Sequence, residues 1–446
     1  MSSSGKFGNN LWEKKYLLVL DDVWTESHIY WDDFLHSLRG LNATNGNWCV
    51  VTTRKQQTAS ILATHDPYVL GKLSDDDCWS ILTEKANAGG EIPEKLQVMK
   101  KEIIKKCGGL PLAASAMGGL LRMKRKEGWK LILMNKLSNL SGDEDRVMEI
   151  LKLSFDCLPS PAIKKCLAYC SMFPKDTEMK RDMLIELWMA EGFLQVDLKN
   201  KTMVNKTMEE IGEYYLEILL QSSLLEEIRK YRRRYYKMHD MVHDVSKSIM
   251  SKSTKVINSE TGSEDNSNQV HCLVIDSFGE GTINLFECRS NLLHTLFLSE
   301  GSLFDDMLMK LKTLHVLNLS GEENQNLPIS VGKLIHLRYI NFEDSTNENL
   351  PESVCKLYNL QTLRLNSFAL KTLEFFKVSR EKGRRIGEFG SLKNLKGKLE
   401  IRNLELVKGK EGAEEAKLSE KANLFRLELK WAYNREGDNY NDEFAR

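Results

Sequence analysis

Five apolar residues, Tyr16 to Leu20, run without a break into Asp21 and Asp22. So short an apolar run predicts a strand buried on both faces, as in a parallel sheet clad by helices. A helix-like segment, Tyr30 to Leu41, and a turn at Asn42–Asn47 follow, then a second apolar run, Trp48 to Thr53, ending at Arg54. Strand–helix–strand with a polar residue at each carboxyl end predicts continuation of the parallel sheet. From Leu73 to Ala88 the period becomes helical behind Ser74, an N-cap with Asp75, Asp76 and Asp77 in the first turn. Lys95 to Lys106 reads as a further amphipathic helix. It stops at Gly108-Gly109 and restarts at Pro111.

Short helices are predicted over Leu151–Pro159, Ala162–Phe173, Met183–Phe193 and Val204–Leu220. A hairpin, Leu224 to Met238, closes them and a helix, Asp240 to Met250, follows, the pattern of a winged helix. Residues 251–269 are polar and predict a linker. Beyond it the frame L-x-x-L-x-L recurs at Leu293/Leu296/Leu298, Leu314/Leu317/Leu319 and Leu360/Leu363/Leu365. With conservative swaps it recurs at Val270/Leu273/Ile275, Leu337/Ile340/Phe342 and Leu424/Leu427/Leu429, with a weaker copy at Leu399 and Ile401. The central positions Leu273, Leu296, Leu317, Ile340 and Leu363 step by 23, 21, 23 and 23 residues. That period and frame mark a leucine-rich repeat, one strand per repeat, with the leucines stacked inward. Phe297, Asn318, Asn341, Arg364 and Glu428 lie between them and are expected to face outward, free to read a partner.

Composition narrows the function classes. Lysine plus arginine and aspartate plus glutamate both number 63, which disfavours a dedicated nucleic-acid binder. The longest uncharged stretch, Cys107 to Leu121, contains glycines and a proline and falls short of the ~20 residues of a membrane span. No apolar signal core opens the chain, so no secretion is expected. The cysteines number nine, without clustered spacing, as suits a reduced cytosolic protein. Cys166 and Cys170, one helical turn apart, read as buried helix residues or, less simply, as a redox pair.

Candidate chemistry sits at the strand ends and turns. Acids at the carboxyl end of a buried strand stand where open α/β sheets bind ligands. Asp21 is placed to hold Mg²⁺ and Asp22 to polarise a water or sense a γ-phosphate, the Walker B pattern; capping of the next helix is the plainer alternative. Arg54 suits phosphate oxygens, or is a solvated arginine. Gly109, Leu110 and Pro111 either punctuate two helices or let backbone approach a ligand, with the proline ring against a purine. The basic-aromatic cluster Lys230–Lys237 is a solvated wing strand or a nucleic-acid contact. His239 and His243, at i and i+4, resemble a zinc helix, except that Asp240 replaces the glutamate base. No G-x-x-x-x-G-K-[ST] occurs: Gly5-Lys6 precedes Phe7 and Gly332-Lys333 precedes Leu334. Since such a loop comes before the acid-ended strand, the chain is expected to begin within a nucleotide-binding domain and to bind nucleotide weakly by itself. The last repeat runs into a polar tail, so the solenoid is expected to be incomplete.

Taken in order, the motifs resemble the plant nucleotide-binding leucine-rich-repeat disease-resistance proteins of the coiled-coil, non-TIR class. YLLVLDDVW (Tyr16–Trp24) is similar to the kinase-2 motif, CVVTTR (Cys49–Arg54) to the sensor strand and CGGLPLA (Cys107–Ala113) to the GLPL motif. Leu151–Asp176 and LWMAEGFL (Leu187–Leu194) resemble the winged-helix signature, and Met238–Asp240 the MHD motif. The resemblance implies a multidomain α/β plus α fold. Residues 1–85 would be a partial P-loop-type parallel sheet, 86–150 a helical subdomain and 151–250 a winged helix. A linker, 251–269, and a leucine-rich-repeat solenoid, 270–446, complete it. It also implies an ADP/ATP switch without catalysis as its purpose, holding Mg²⁺ and located in the cytoplasm, or also the nucleus. Asp21 and Asp22 would serve metal and water, Arg54 the γ-phosphate, Pro111 the adenine with Gly109 and Leu110 as further cofactor-binding residues, and His239 the ADP β-phosphate. Partners would be a pathogen effector or guarded host protein on the repeats, with full-length receptors as possible associates. The alternative is a nucleotide-independent repeat module or decoy for complete receptors.

Overall fold

The computed structural model describes residues 15–41, 46–87, 92–123, 129, 142–195, 206–230, 233–250, 254–257, 270–275, 292–299, 305–320, 327–343, 351–365, 376–378, 386–387, 397–407, 409–421 and 424–431. The stretch before the first strand, most of the polar linker, the basic loop 379–385 and the terminal polar tail lie outside them. Two compact units divide the chain, residues 1–72 and 73–446.

In the first unit β1 (Leu17–Leu20) and β2 (Trp48–Val51) pair in parallel, Leu17 opposite Trp48 and Leu20 opposite Val51. Helices α1 (His28–Leu41) and α2 (Gln56–Leu62) follow the two strands. The expected burial on both faces is corrected: Leu17 is 65% and Val19 56% exposed, and Trp48 and Val50 are also exposed. Among the described residues the sheet is two strands wide, so β1's apolar run lacks the cladding that its composition calls for.

The second unit opens with α3 (Asp75–Asn87). Ser74 caps it, its Oγ accepting from the Asp77 N–H at 3.1 Å, so the sequence cap is in place. This helix packs on α6 (Pro111–Met123), after α4 (Glu94–Val98) and α5 (Lys100–Cys107). The crossing is close because Gly118 has no side chain: a Cβ there would fall 2.5 Å from the Leu82 carbonyl oxygen. Helix α3 therefore packs with the helical segment, and the two compact units meet after Lys72.

Next come α7 (Asp143–Asp156), α8 (Pro161–Cys170), α9 (Arg181–Ala190), α10 (Met208–Gln221) and α11 (Asp240–Met250). Thr207 and Glu210 form a capping box on α10. The wing has three strands in the order β3 (Met179–Lys180), β5 (Arg233–Lys237), β4 (Glu226–Lys230), one more than the hairpin alone supplies. Its basic residues face acids: Lys230 pairs with Glu178, Lys237 with Asp176, and Arg229 and Arg234 with Glu227. Within the described part of the basic-aromatic cluster, Lys230, Arg234 and Lys237 thus have acidic partners.

Six parallel strands build the solenoid sheet in chain order: β6 (Thr254–Ile257), β7 (Cys272–Ile275), β8 (Thr295–Leu298), β9 (Val316–Asn318), β10 (Tyr339–Phe342) and β11 (Thr362–Leu365). The first strand falls inside the expected linker, Thr254 pairing with Cys272 in register with the repeats. A second parallel sheet holds β12 (Phe376–Lys377), β13 (Gly397–Arg402) and β14 (Leu424–Leu429).

Along each repeat strand alternate residues enter different cores. Leu273, Leu296, Leu317 and Ile340 are buried in the leucine core of the solenoid. Their neighbours Cys272, Val274, Phe297, Val316 and Tyr339 are buried in one cluster with the winged-helix segment. Fully burying one such side chain contributes about 1.5–3 kcal/mol, enough for the leucine frame to fix which face points inward. The expectation that the residues between the leucines stand free is therefore corrected for part of the face. Phe297 packs on Phe173 with ring centroids 5.6 Å apart and is 6% exposed. Asn341 is buried, its Oδ1 accepting from the Glu343 N–H at 2.8 Å. Arg364 donates to Glu186 and to Glu343 at 2.6 and 2.9 Å, and Lys180 joins Glu343 at 2.9 Å. The frame tells which way a residue faces, not what covers it.

Candidate functional site

Parallel pairing brings the carboxyl ends of β1 and β2 side by side, and with them Asp21, Asp22 and Arg54. Thr52, which sequence reasoning did not single out, is the hinge of this group. Its hydroxyl donates to the Asp21 carboxylate and accepts from the Asp22 N–H, the latter at 2.9 Å. Its signal in the sequence is a hydroxyl two residues before the arginine at a strand end. Asp22 lies at φ 51°, a left-handed conformation that aspartate tolerates better than most residues. That turn carries its carboxylate to Arg54, whose Nε and Nη2 lie 3.2 and 3.3 Å from the two oxygens. The Arg54 guanidinium also lies 3.9 Å from the centre of the Trp24 ring, a cation–π contact. Asp21 is thus oriented with a hydroxyl at one oxygen.

In the second unit, α5 ends because Gly108 and Gly109 adopt φ of 63° and 72°, where a side chain would be strained. The Gly109 carbonyl accepts from the Leu73 N–H at 2.9 Å, tying this turn to the entry of α3. Pro111 then opens α6, exposed, at the position where its missing N–H costs nothing. The Arg146 guanidinium fills the space over Gly108 that a Cβ would need. Helix α7, which carries Arg146, packs on both α6 and α11.

At the start of α11, Met238 is buried and His239 exposed. The His239 Nδ1 accepts from the Met241 N–H at 3.2 Å, serving as an N-cap. An accepting Nδ1 places the ring proton on Nε2, so this histidine presents an N–H donor, the atom an anionic oxygen would need. His243 differs. It is 6% exposed and its Nε2 lies 2.9 Å from the Phe173 carbonyl oxygen. The two histidines therefore do different work, and neither belongs to a group of three potential metal ligands among the described residues.

Burial lowers the His243 pKa, against the Phe173 carbonyl and Asp244, which raise it. A base depressed in the fold binds its proton more readily in the unfolded chain. Its stability contribution is present above the unfolded value and lost as the pH falls below about 6.5. Urea denaturation across that range is expected to show the acid loss, and His243→Asn to flatten it. The Cys166 and Cys170 thiols are buried, and burial raises both pKa values, which makes them poor nucleophiles.

Comparisons with known proteins match three segments of the chain. Residues 3–91 match the NB-ARC domain, 172–246 the disease resistance protein winged helix domain, and 386–444 the R13L1/DRL21 leucine-rich repeats. Disease resistance protein RGA2 of Solanum bulbocastanum is 38% identical, over 94% of this chain and 44% of that one. The chain belongs to the plant disease-resistance proteins with NB-ARC and leucine-rich-repeat segments. RGA1 of the same species is 35% identical over the same shares, and RFL1 of Arabidopsis thaliana 32% over 54% of this chain and 27% of that one. The chain thus spans under half the length of the curated relatives it matches. Among solved structures, an internalin of Listeria monocytogenes covers 38% of this chain and 44% of its own at 14% identity and a TM-score of 0.25, too slight a likeness to carry an argument. The NB-ARC match implies nucleotide binding as the family's chemistry, and leucine-rich repeats in resistance proteins point to protein–protein interaction. No helix among the described residues is long and apolar enough to cross a membrane.

Proposed function

We propose that the chain is the switch and recognition portion of an immune receptor whose state depends on ADP or ATP. Asp21 would hold Mg²⁺, Asp22 the attacking water and Arg54 the γ-phosphate. Gly109, Leu110 and Pro111 would line the adenine, and the His239 Nε2–H would reach the ADP β-phosphate. The repeats would read a pathogen effector or a guarded host protein, in the cytoplasm or nucleus. The observation that carries this reading is that one winged-helix segment bears the His239 donor and also covers the repeat strands. A ligand on the histidine and a partner on the strands then act on the same body, and each shifts it only by its differing affinity for two states.

The acids and Thr52 fit a metal ion, whereas the phosphate cradle has no counterpart in the sequence. Calorimetry with Mg-ADP therefore tests the reading in two forms of the protein. Residues 1–446 are expected to give no measurable binding. A form extended at its N-terminus by a family member's glycine-rich loop is expected to bind, and His239→Ala to weaken that binding roughly 10- to 100-fold, the worth of a charge-assisted hydrogen bond. Tight binding by residues 1–446 alone would contradict the first expectation, and indifference to His239 the second. A second reading is a nucleotide-independent repeat module or decoy that partners complete receptors. Failure of the extended form to bind, with effector or receptor capture by residues 1–446, would select it.

A further inference from the structure

The position just before each repeat strand forms a ladder of its own: His271, His294, His315, Arg338 and Gln361. The first four carbonyls in the ladder each accept from two N–H groups of the next repeat, as the His271 oxygen does from His294 and Thr295 at 2.8 and 3.0 Å. The repeat spacing consequently stacks the imidazoles, with centroids 5.1 Å apart for His271 and His294 and 4.7 Å for His294 and His315. Against this ladder the winged-helix segment sets Glu191, in the turn that follows α9. The Glu191 side chain is 3% exposed, and its Oε2 lies 4.0 Å from the His294 Nδ1.

We propose that Glu191, His294 and His315 form a binding site for a divalent transition metal of the zinc type, bridging the winged-helix segment and the repeats. One ligand atom from each residue lies within 4.8 Å of the other two. A zinc ion with bonds of about 2.0–2.1 Å would draw them roughly 1 Å closer, within reach of side-chain rotation. Two imidazoles and a carboxylate suit zinc, cobalt or nickel better than magnesium or calcium, which prefer oxygen alone. The His315 Nδ1 is buried and has no hydrogen-bond partner among the described residues. Support for the carboxylate is also in place: Thr295 donates to Glu191 Oε1 and lies 3.0 Å from the Tyr169 hydroxyl, so Oε2 is left toward His294. Water would take the fourth position.

Arg338 opposes the site. Its Nη1 donates to the Ala190 carbonyl at 3.2 Å, which keeps a cation nearby and holds affinity below that of a dedicated structural zinc site. Because the ligands come from both segments, an occupied site would clamp the winged helix onto the repeats. A purely structural ladder of neutral rings predicts no such linkage to metal.

Titration of metal-free residues 1–446 with Co²⁺, followed by visible absorption, tests the site. One equivalent is expected to bind with the intense bands of a site of low coordination number, and Zn²⁺ to displace it. His294→Gln, His315→Gln and Glu191→Gln are each expected to weaken binding roughly tenfold or more. His271→Gln, one rung away, is expected to leave it unchanged. Equal binding by the native chain and the triple variant, both folded by circular dichroism, overturns the proposal. Should the variants not fold, Zn²⁺ protection of the native chain from diethyl pyrocarbonate decides it. Protection of His294 and His315 but not His336 supports the site, and equal labelling with and without Zn²⁺ overturns it.

Discussion

Arg364→Ala is expected to loosen the winged-helix segment from the repeats at a cost of roughly 2 kcal/mol. Arg364 is the cation between two carboxylates, Glu186 on α9 and Glu343 after β10, and its side chain is only 14% exposed. Burial raises the Glu186 pKa while Arg364 lowers it, and that compensation would go with the guanidinium. Removing one member of a buried pair costs about 3–5 kcal/mol. Both carboxylates here remain 27% exposed, so water recovers part of that loss. Urea unfolding reads the cost, and limited proteolysis shows whether the segment detaches before the whole unit unfolds. Adding Glu186→Gln should remove much of the penalty, because no charge is then stranded. If the two substitutions add within about 0.5 kcal/mol, the pair is not coupled as described.

Gly119→Ala is expected to destabilise the second unit by about 2 kcal/mol, although alanine in place of glycine within a helix ordinarily gains about 1 kcal/mol. The sign is decided by what the new methyl group would meet. A Cβ on Gly119 would fall 2.6 Å from the Ser222 carbonyl carbon, 2.7 Å from its oxygen and 2.8 Å from the Gln221 oxygen. These are backbone atoms at the end of α10, unable to swing aside, and overpacking of this kind costs about 1–3 kcal/mol beyond any propensity gained. Gly71→Ala, with nothing within 4 Å of its Cβ, serves as the neutral comparison. Chemical denaturation of both variants measures the difference. A stabilised Gly119→Ala would mean that the helices stand farther apart than described.

Much of the architecture was legible because a few local signals are unambiguous. Leucines stepping by 21 or 23 residues placed the central repeat strands, and Ser74 before three aspartates placed the cap of α3. Gly108-Gly109 ahead of Pro111 marked a stop and restart that positive φ angles now account for. What escaped the sequence depends on long-range contact. Thr254–Ile257 lies in polar surroundings and becomes a strand by pairing with β7. The strand Leu17–Leu20 has a buried composition, yet one face of it is open among the described residues. Phe297 and Arg364 were legible as outward-facing, but α9 and its neighbours, more than a hundred residues earlier in the chain, determine that they are covered. At the strand-end site the acids and the arginine were legible from type and position. The Thr52 hydroxyl that orients Asp21 was not, since the carboxylate it meets lies 31 residues earlier in the chain.

The two-sided strands also bear on how any affinity for this chain should be interpreted. A visitor that needs Phe297 or Arg364 can engage only the fraction of molecules in which those side chains stand uncovered, and its apparent dissociation constant is the intrinsic one divided by that fraction. A covered form favoured by about 2 kcal/mol would make a ligand seem roughly 30-fold weaker than its contacts warrant. Glu186→Gln, which spares both Phe297 and Arg364, would then tighten binding without touching the visitor.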